Sequence, residues 1–298
     1  MLTTTVLACR CKIMVSPAMN TNMYDNAIVQ DNIKKLAHYG MEIIEPDSGY
    51  LACGDTGKGK MPSPEVLEWY ILREIAKKKD MKGMNVCVTA GPTREIIDPV
   101  RFISNNSTGK MGYAIAKEAM LRGADVTLIS GKVNIAPVPF VKLVDVISAK
   151  DMYDEVVKAA EYSDIIIKAA AVADYRPAVV SDNKIKKKDG DMSIELTRTE
   201  DIIGTIGKNK KKEQFLCGFS METENMLENS KAKLDKKNLD MIVANNVKVK
   251  GAGFGTDTNV VTIITRNDCR ELPIMSKEEV ADEILSYIMP VSYTHLRA

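Results

Sequence analysis

Asn85-Val86-Cys87-Val88, Thr89-Ala90-Gly91-Pro92-Thr93, Ser107-Thr108-Gly109-Lys110-Met111-Gly112 and Asp125-Val126-Thr127-Leu128-Ile129 decide the fold. The first run is apolar and of strand length. The second is a Gly-Pro turn. Gly112 to Arg122 has helical periodicity, Gly123 stops it, and Asp125–Ile129 is a second strand. Strand, long loop, helix, strand is a βαβ unit, which requires a parallel sheet.

The same alternation continues outward. Ser148 and Asp151 form a capping box for a helix through Ala160, and Ile165-Ile166-Ile167 is a fully apolar strand. Further strands are expected at Leu216–Phe219, Met241–Ala244 and Val260–Thr265, with a helix within 224–237. Ser276 and Glu279 cap a last helix, which Pro290 should end. Before Lys82 the pattern is lighter: strands at Ile13–Val15 and Met41–Ile44, a helix ending at Gly40, and a helix entered through Ser63-Pro64. Lys77-Lys78-Lys79-Asp80 reads as a linker. The expected divisions are 1–79, 80–289 and a non-native tail at 290–298.

Composition narrows the function classes. The chain has 298 residues, a net charge of +1 and 27% charged residues. Roughly 150 residues per domain suggests two domains. No apolar run reaches the roughly 18 residues of a membrane span, no signal peptide precedes the fold, and a neutral chain with 5% aromatics is not built for nucleic acid. With six Cys and two His, reduced thiols and a cytoplasmic setting are expected, and no metal-ligand set is read. Cys87 and Cys217 lie in apolar runs and read as core.

Four segments carry chemistry. The loop 89–112 leaves a strand and opens a helix, where open α/β sheets bind ligands; Ser107, Thr108 and Gly109 can offer hydroxyls and N–H groups to an anion. Lys168-Ala169-Ala170-Ala171-Val172-Ala173-Asp174 also follows a strand: its small residues admit a flat ligand, and Asp174 can accept hydrogen bonds from an amine or a ribose. Lys184-Ile185-Lys186-Lys187-Lys188 is by pattern a solvated face, or else a phosphate-neutralising run. In the first part, Asn20 follows a strand, and Cys53 sits in the Gly-punctuated loop 52–61, as an exposed thiol or a proton donor.

Together these segments resemble the bacterial bifunctional coenzyme A biosynthesis flavoproteins, which join phosphopantothenoylcysteine decarboxylase to phosphopantothenate–cysteine ligase. The resemblance rests on the order of P-x-M-N-x-x-M (17–23), A-C-G-D-x-G-x-G-K-M (52–61), T-A-G-P-T-R-E (89–95), S-N-x-S-x-G-K-M-G (104–112), A-A-V-A-D-Y-R (170–176) and K-I-K-K (184–187). It implies an α/β chain: a doubly wound Rossmann-like ligase domain preceded by the C-terminal part of a flavodoxin-like decarboxylase domain. It further implies CTP, 4′-phosphopantothenate and cysteine as substrates, Mg²⁺, FMN for a complete decarboxylase domain, and a homodimer through the ligase domain. Asn105 is similar to the residue that holds an acyl-cytidylate, and Ala170 and Ala171 to the wall beside it. Lys184 resembles a lysine over the reacting phosphorus. Lys168, Ala169, Asp174, Thr197, Arg198, Phe219, Lys233 and Lys237 resemble nucleotide contacts. Asn20 and Cys53 resemble the carboxylate grip and proton donor of the decarboxylase.

The chain departs from the family at Thr199-Glu200, where Asn-Pro is usual, and at Asn106, where an Arg is usual. The family's catalytic His and main FMN loops fall before Leu2, and neither His38 nor His295 has that context. The expectation is therefore a truncated chain that ligates and does not decarboxylate. Two rivals are an NAD(P)-dependent Rossmann oxidoreductase, which wants a G-x-G-x-x-G turn not seen here, and a non-catalytic flavoprotein-like regulatory subunit.

Overall fold

The computed structural model describes residues 1–186, 192–221, 226–245, 253 and 255–296, with backbone only at 226, 227 and 291–296. The chain divides into two compact units, Met1–Ala76 and Lys77–Ala298.

In the first unit, α1 (Leu2–Ala8) precedes β1 (Met14–Val15), α2 (Thr21–Tyr24), α3 (Ala27–His38), β2 (Glu42–Ile43), β3 (Asp47–Tyr50), β4 (Thr56–Lys60) and α4 (Pro64–Ile75). β1 and β2 pair in parallel, and β3 and β4 form an antiparallel hairpin. Half of the Gly-rich stretch 52–61 expected as a loop is thus strand. Ser63 caps α4 by accepting the Val66 N–H, with Pro64 in the first helical position.

In the second unit, β5 (Asn85–Ala90) leads into a hairpin of β6 (Arg94–Ile96) and β7 (Phe102–Ser104), then α5 (Lys110–Leu121), β8 (Asp125–Ser130), β9 (Lys142–Asp145), α6 (Ala149–Ala160) and β10 (Ile165–Lys168). The hairpin of β11 (Tyr175–Pro177) and β12 (Leu196–Arg198) follows, then α7 (Ile202–Asn209), β13 (Phe215–Met221), α8 (Met226–Lys236) and β14 (Met241–Asn245). The chain finishes with β15 (Thr258–Asn259), β16 (Val261–Ile264), β17 (Cys269–Glu271), β18 (Met275–Ser276) and α9 (Lys277–Leu296).

The main sheet has eight strands in the order β17-β16-β14-β13-β10-β5-β8-β9. From β14 to β9 all pairs are parallel, and β16 and β17 add an antiparallel edge. Chain order runs outward from β5 to β9 on one side and from β10 to β14 on the other. The reversal between β5 and β10 is a topological switch point. Cys87, Ile129, Ile166, Leu216 and Ile242 bury one face against Met152 and Val156 of α6 and Ile202 and Ile206 of α7. On the other, α5 packs on β5 and β8 and against α9. The capping box at Ser148 and Asp151 forms as the sequence required, and α6 runs to Ala160.

Three features differ from the sequence reading. α5 begins at Lys110, two residues before Gly112, because Gly109 takes a left-handed conformation (φ +80°) that turns the loop into the helix. α9 does not end at Pro290 but runs through it to Leu296. Proline removes one intrahelical N–H, and the helix absorbs that loss as an interior proline. The run 77–80 is not a solvated linker: Lys77 pairs with Glu118 (2.9 Å) and Asp282 (3.0 Å), and Asp80 with the buried Arg122 (2.6 Å).

α5 reaches the sheet closely enough to frame the switch point because residue 112 is Gly. A Cβ there would lie 2.6 Å from Ala90 Cβ and 2.8 Å from Thr89 O. Gly112→Ala should therefore cost about 1–3 kcal/mol through overpacking. Gly255→Ala, where a Cβ meets nothing within 4 Å, should stay within about 0.5 kcal/mol. Urea melts of the two variants check this; equal midpoints would contradict it.

Candidate functional site

The two chemistry-bearing loops of the second unit meet at the switch point. Pro92 and Ala171 form a lone parallel bridge beyond the ends of β5 and β10. Ala171 N–H donates to Gly91 O (2.9 Å), and Thr93 N–H to Ala171 O (3.3 Å). The Thr89 and Thr93 hydroxyls accept the N–H groups of Ala170 (3.1 Å) and Ala173 (3.0 Å). Asn105 Nδ2 donates to the same Ala171 carbonyl at 3.0 Å. One alanine thus ties together the turn after β5, the turn after β10 and the loop before α5.

A cleft of about 380 Å³ opens over this junction. It is lined by Asn105, Lys168, Ala169, Ala170, Ala171, Asp174, Phe219, Lys233 and Lys237, all singled out from sequence. Lys168, Asp174 and Lys237 also line an adjoining pocket, together with Arg198. Thr197 lies beside Arg198 on β12, opposite Arg176, and lines neither pocket. Lys184 is exposed and lines neither, and Lys187 and Lys188 lie outside the described residues. The neighbouring Ile185 is anchored: its N–H donates to Asp98 Oδ2 (3.2 Å), and its carbonyl accepts from Arg101 (3.1 Å).

The cleft is electropositive. Burial, then Lys237 and Lys233, lower the pKa of Lys168, against the pull of Asp174 and Asp201. The Lys168 ammonium makes no hydrogen bond or ion pair with another described residue, while its backbone pairs in the sheet. Lys237 pairs with Asp201 at 3.0 Å, while Asp201 also caps α7 through Gly204 N–H. Burial raises the Asp201 carboxyl, but Lys237 and that N–H outweigh it and leave its pKa lowered. Lys210, just past α7, pairs with Asp240 at 2.6 Å in a half-buried setting.

Several lining residues carried no signal in the sequence. Asn245 and Asn259 bond to each other at 3.1 Å, although fourteen residues separate them. Lys277 stands between two capping residues that looked purely structural, yet it also lines the cleft. Asp98 does not line the cleft, and its side chain has no exposed surface.

In the first unit, Asn20 and Cys53 do come together. Asn20 Nδ2 lies 3.3 Å from Cys53 Sγ and 2.6 Å from Asp55 Oδ2, and Cys53 Sγ lies 3.7 Å from the same carboxylate oxygen. Asp55 was not foreseen, though it stands two residues along the same loop. Gly59 allows this meeting. It holds φ +134°, and a Cβ there would lie 2.1 Å from Met19 O, so β4 lies directly on the chain before Asn20. Among the described residues no cluster of three or more His, Cys, Asp or Glu could hold a metal ion, and no helix is long and apolar enough to cross a membrane.

A parallel sheet wound both ways, with a cationic cleft at its switch point, defines a ligand-binding unit of the doubly wound α/β class. The family described as the DNA/pantothenate metabolism flavoprotein C-terminal domain matches residues 81–291, and the family described as Flavoprotein matches residues 1–76. The chain belongs to this family. It is 50% identical over 296 residues to the coenzyme A biosynthesis bifunctional protein CoaBC of Bacillus subtilis, covering 98% of this chain and 73% of that one. It is 45% identical to a cysteine/cysteine sulfinic acid decarboxylase of an unknown prokaryotic organism, covering 97% and 82%. The crystal structure of the C-terminal domain of a CoaBC protein superposes with a TM-score of 0.62 at 44% identity, covering 72% of this chain and 98% of that one.

Two predictions follow from these geometries. Asp98 accepts from the Arg101 side chain and from the N–H groups of Val100, Ile185 and Arg101, with Arg101 chief among the groups that hold its carboxyl well below the usual range. A depressed folded pKa gives stability that is complete above the unfolded value near ~3.9 and lost as pH falls toward the folded value. The melting-temperature gap between wild type and Asp98→Asn should be level above about pH 5 and shrink below about pH 4; a gap unchanged at pH 3 would contradict this. Separately, Cys87 and Cys217 are buried, and burial pushes the Cys87 thiol up to about 12. A thiol reagent should therefore label Cys9, Cys11, Cys53 and Cys269 in the folded chain and all six only in denaturant. Native labelling of all six would overturn the burial.

Proposed function

We propose that this chain works in coenzyme A biosynthesis as a phosphopantothenate–cysteine ligase. The observation that carries the reading is the convergence of Asn105, Ala171 and the cationic residues Lys168, Lys233 and Lys237 on one cleft at the switch point. The 50% identical bifunctional relative supports the pathway.

In this reading the carboxylate of 4′-phosphopantothenate attacks the α-phosphorus of CTP and pyrophosphate leaves. The amine of cysteine then attacks the acyl-cytidylate carbonyl and expels CMP, forming the amide. Asn105, fixed by its donor bond to Ala171 O, presents its remaining amide groups to the acyl-cytidylate. Ala170 and Ala171 leave the wall flat beside it. Asp174 and Phe219 take the nucleoside, with Thr197 and Arg198 beside the nucleotide. Lys168, Lys233 and Lys237 draw the negative charge of the triphosphate into a partly water-excluded site, where each ion pair is worth more than in bulk water. Lys184 is assigned to the phosphoryl group undergoing transfer; the Ile185 anchor on Asp98 and Arg101 supports a fixed base for it. Mg²⁺ belongs to this reading as a counter-ion of the triphosphate oxygens, since the described protein residues offer it no ligand cluster of their own.

The Asn20–Cys53–Asp55 cluster supports a part in the second activity of full-length members of the family, decarboxylation of 4′-phosphopantothenoylcysteine, with Asn20 gripping a carboxylate and Cys53 donating a proton. The decarboxylase named among the relatives agrees with that class of chemistry. FMN supplies the redox chemistry of such a reaction, but Asn20, Cys53 and Asp55 suit a small polar substrate rather than a flavin ring, and no flavin-holding residue is assigned. The chain is placed in the cytoplasm, consistent with its free thiols. A homodimer through the second unit is supported by the exposed apolar Ile96, Val100 and Phe102 at the β6–β7 hairpin.

Release of pyrophosphate from CTP, dependent on 4′-phosphopantothenate and followed by cysteine-dependent CMP release, tests the ligase. Asn105→Ala should lower the rate about a hundredfold or more. Lys184→Gln should slow acyl-cytidylate formation more than it weakens CTP binding. No turnover by the wild type, or an Asn105→Ala variant at full rate, would sink the ligase reading; equal effects of Lys184→Gln on both steps would remove its assigned role.

A further inference from the structure

Lys168 is the last residue of β10, and Ala170 and Ala171, the proposed wall beside the acyl-cytidylate, follow it directly in the chain. Lys168 lines the cleft together with them and Asn105, and it also lines the adjoining pocket. It thus stands where the two cavities meet, within the site of the proposed acyl transfer.

Three other amines of the cleft are engaged. Lys237 pairs with Asp201 (3.0 Å), Lys110 pairs with Asp257 (2.6 Å), and Lys277 donates to the carbonyls of Gly253 (2.9 Å) and Thr256. The Lys168 side chain has no such partner among the described residues and is acted on only by burial and by charges at a distance.

Those charges come from several elements. Lys233 lies on α8 and Lys237 just past it, Asp201 caps α7, and Asp174 lies beyond the end of β10. Tyr175, Arg198 and Glu200 border the adjoining pocket. Asp201 already holds Lys237 and the Gly204 N–H, and Asp174 is exposed to water. Burial lowers the Lys168 pKa most, and Lys237 and Lys233 lower it further against Asp174 and Asp201. A shielded amine beside two ammonium groups sheds its proton more readily than a free lysine.

The second half of the proposed reaction needs such a group. As the cysteine nitrogen bonds to the acyl carbonyl it must lose a proton, and a good acceptor binds that proton with an affinity near the working pH. No histidine lines the cleft, and an exposed carboxylate such as Asp174 is too weak a base.

We propose that Lys168 is the catalytic base of the second half-reaction, taking the proton from the cysteine nitrogen. The proposal rests on the ligase reading. While the triphosphate is bound, its negative charge keeps Lys168 an ammonium. Departure of pyrophosphate removes most of that charge, and the ammonium gives its proton to water. The neutral Nζ then accepts a proton from the cysteine NH₂ as the N–C bond forms. The C–O bond to the nucleotide breaks, and CMP leaves with the electron pair. Lys168 is left protonated, the form that suits the next triphosphate.

The test follows the two halves separately in wild type, Lys168→Arg and Lys168→Met. Arg keeps the charge but does not give up a proton in this range. In Lys168→Arg, pyrophosphate release should stay within about tenfold of wild type while cysteine-dependent CMP release falls about a hundredfold or more, so that acyl-cytidylate accumulates. Lys168→Met should weaken CTP binding and also lose CMP release. The ratio of wild-type to Arg-variant CMP release, in which the ionisation of cysteine itself cancels, should rise with pH and level off below the usual lysine value near ~10.4. CMP release by Lys168→Arg at the wild-type rate would overturn the base and leave the ligase reading standing, and so would equal losses in the two halves. Melting temperatures check folding; if Lys168→Arg does not fold, a larger loss of CMP release than of pyrophosphate release in Lys168→Met decides. Calorimetry in two buffers of unlike ionisation enthalpy reads the protons taken up when inorganic tripolyphosphate binds the full chain. At about pH 8, wild type should take up about half a proton or more beyond Lys168→Arg. If the wild type releases no pyrophosphate, the ligase reading falls, and this uptake still decides on Lys168: a deficit in the Arg variant upholds it as a proton acceptor, and equal uptake refutes it.

Discussion

The hydrogen bonds at Ala171 are the constraint on which the site depends. Its N–H, its carbonyl and its bridge to Pro92 join the turns after β5 and β10. These turns leave adjacent parallel strands at the place where the winding reverses, so neither can fold back over the other's helix, and a crevice must open there. The second acceptor lone pair of Ala171 O then takes the Asn105 side chain. An alanine serves because a larger side chain would fill the crevice that its backbone organises. The catalytic asparagine of the proposed reaction is therefore positioned by main chain, which is harder to perturb than a side-chain partner.

Charge in the cleft is arranged against the preference of the fold. The core strands place apolar residues up to Ile167, and Lys168 is the first charged position beyond them. Its amine is partly shielded from water and faces other lysines. Such a site is costly when alone and favourable with a polyanion, so its lysines favour ligand over emptiness by electrostatics rather than by shape. The ion pair of Lys237 with Asp201 moderates this by tying one cation to the cap of α7.

Much of this was legible in the sequence, for identifiable reasons. β5, β8, β10 and β14 are short apolar runs bounded by turn residues, and α6 carries its own capping box, so local chemistry alone specifies them. Lys168, Ala170 and Asp174 were readable because they sit within a few residues of the end of β10, and Asn105 because its Ser-Asn-x-Ser segment leads into α5. Lys277, Asn245 and Asn259 were not, because their role is set by where β15, β18 and α9 dock, and no local pattern encodes docking. The small hairpins β6–β7 and β11–β12 were missed for a related reason. Their residues alternate weakly, and their pairing is set by the loops that they cross. Pro290 misled in the opposite sense: the local rule to end a helix was clear, and the long helix overrode it.

The ion pairs of residues 77–80 bear on how the second unit can be made by itself. Arg122 lies almost wholly out of water and is held at its Nε and Nη2 by Asp80, with Asp282 and Ser286 at its other nitrogen. A recombinant fragment beginning after Asp80 would strip that carboxylate from a buried guanidinium, a loss of roughly 3–5 kcal/mol. One beginning at Lys77 keeps both the carboxylate and the lysine that bridges Glu118 and Asp282. The sensible cut for expressing the ligase unit is thus placed by electrostatics, upstream of where the charged run makes the chain look most dispensable.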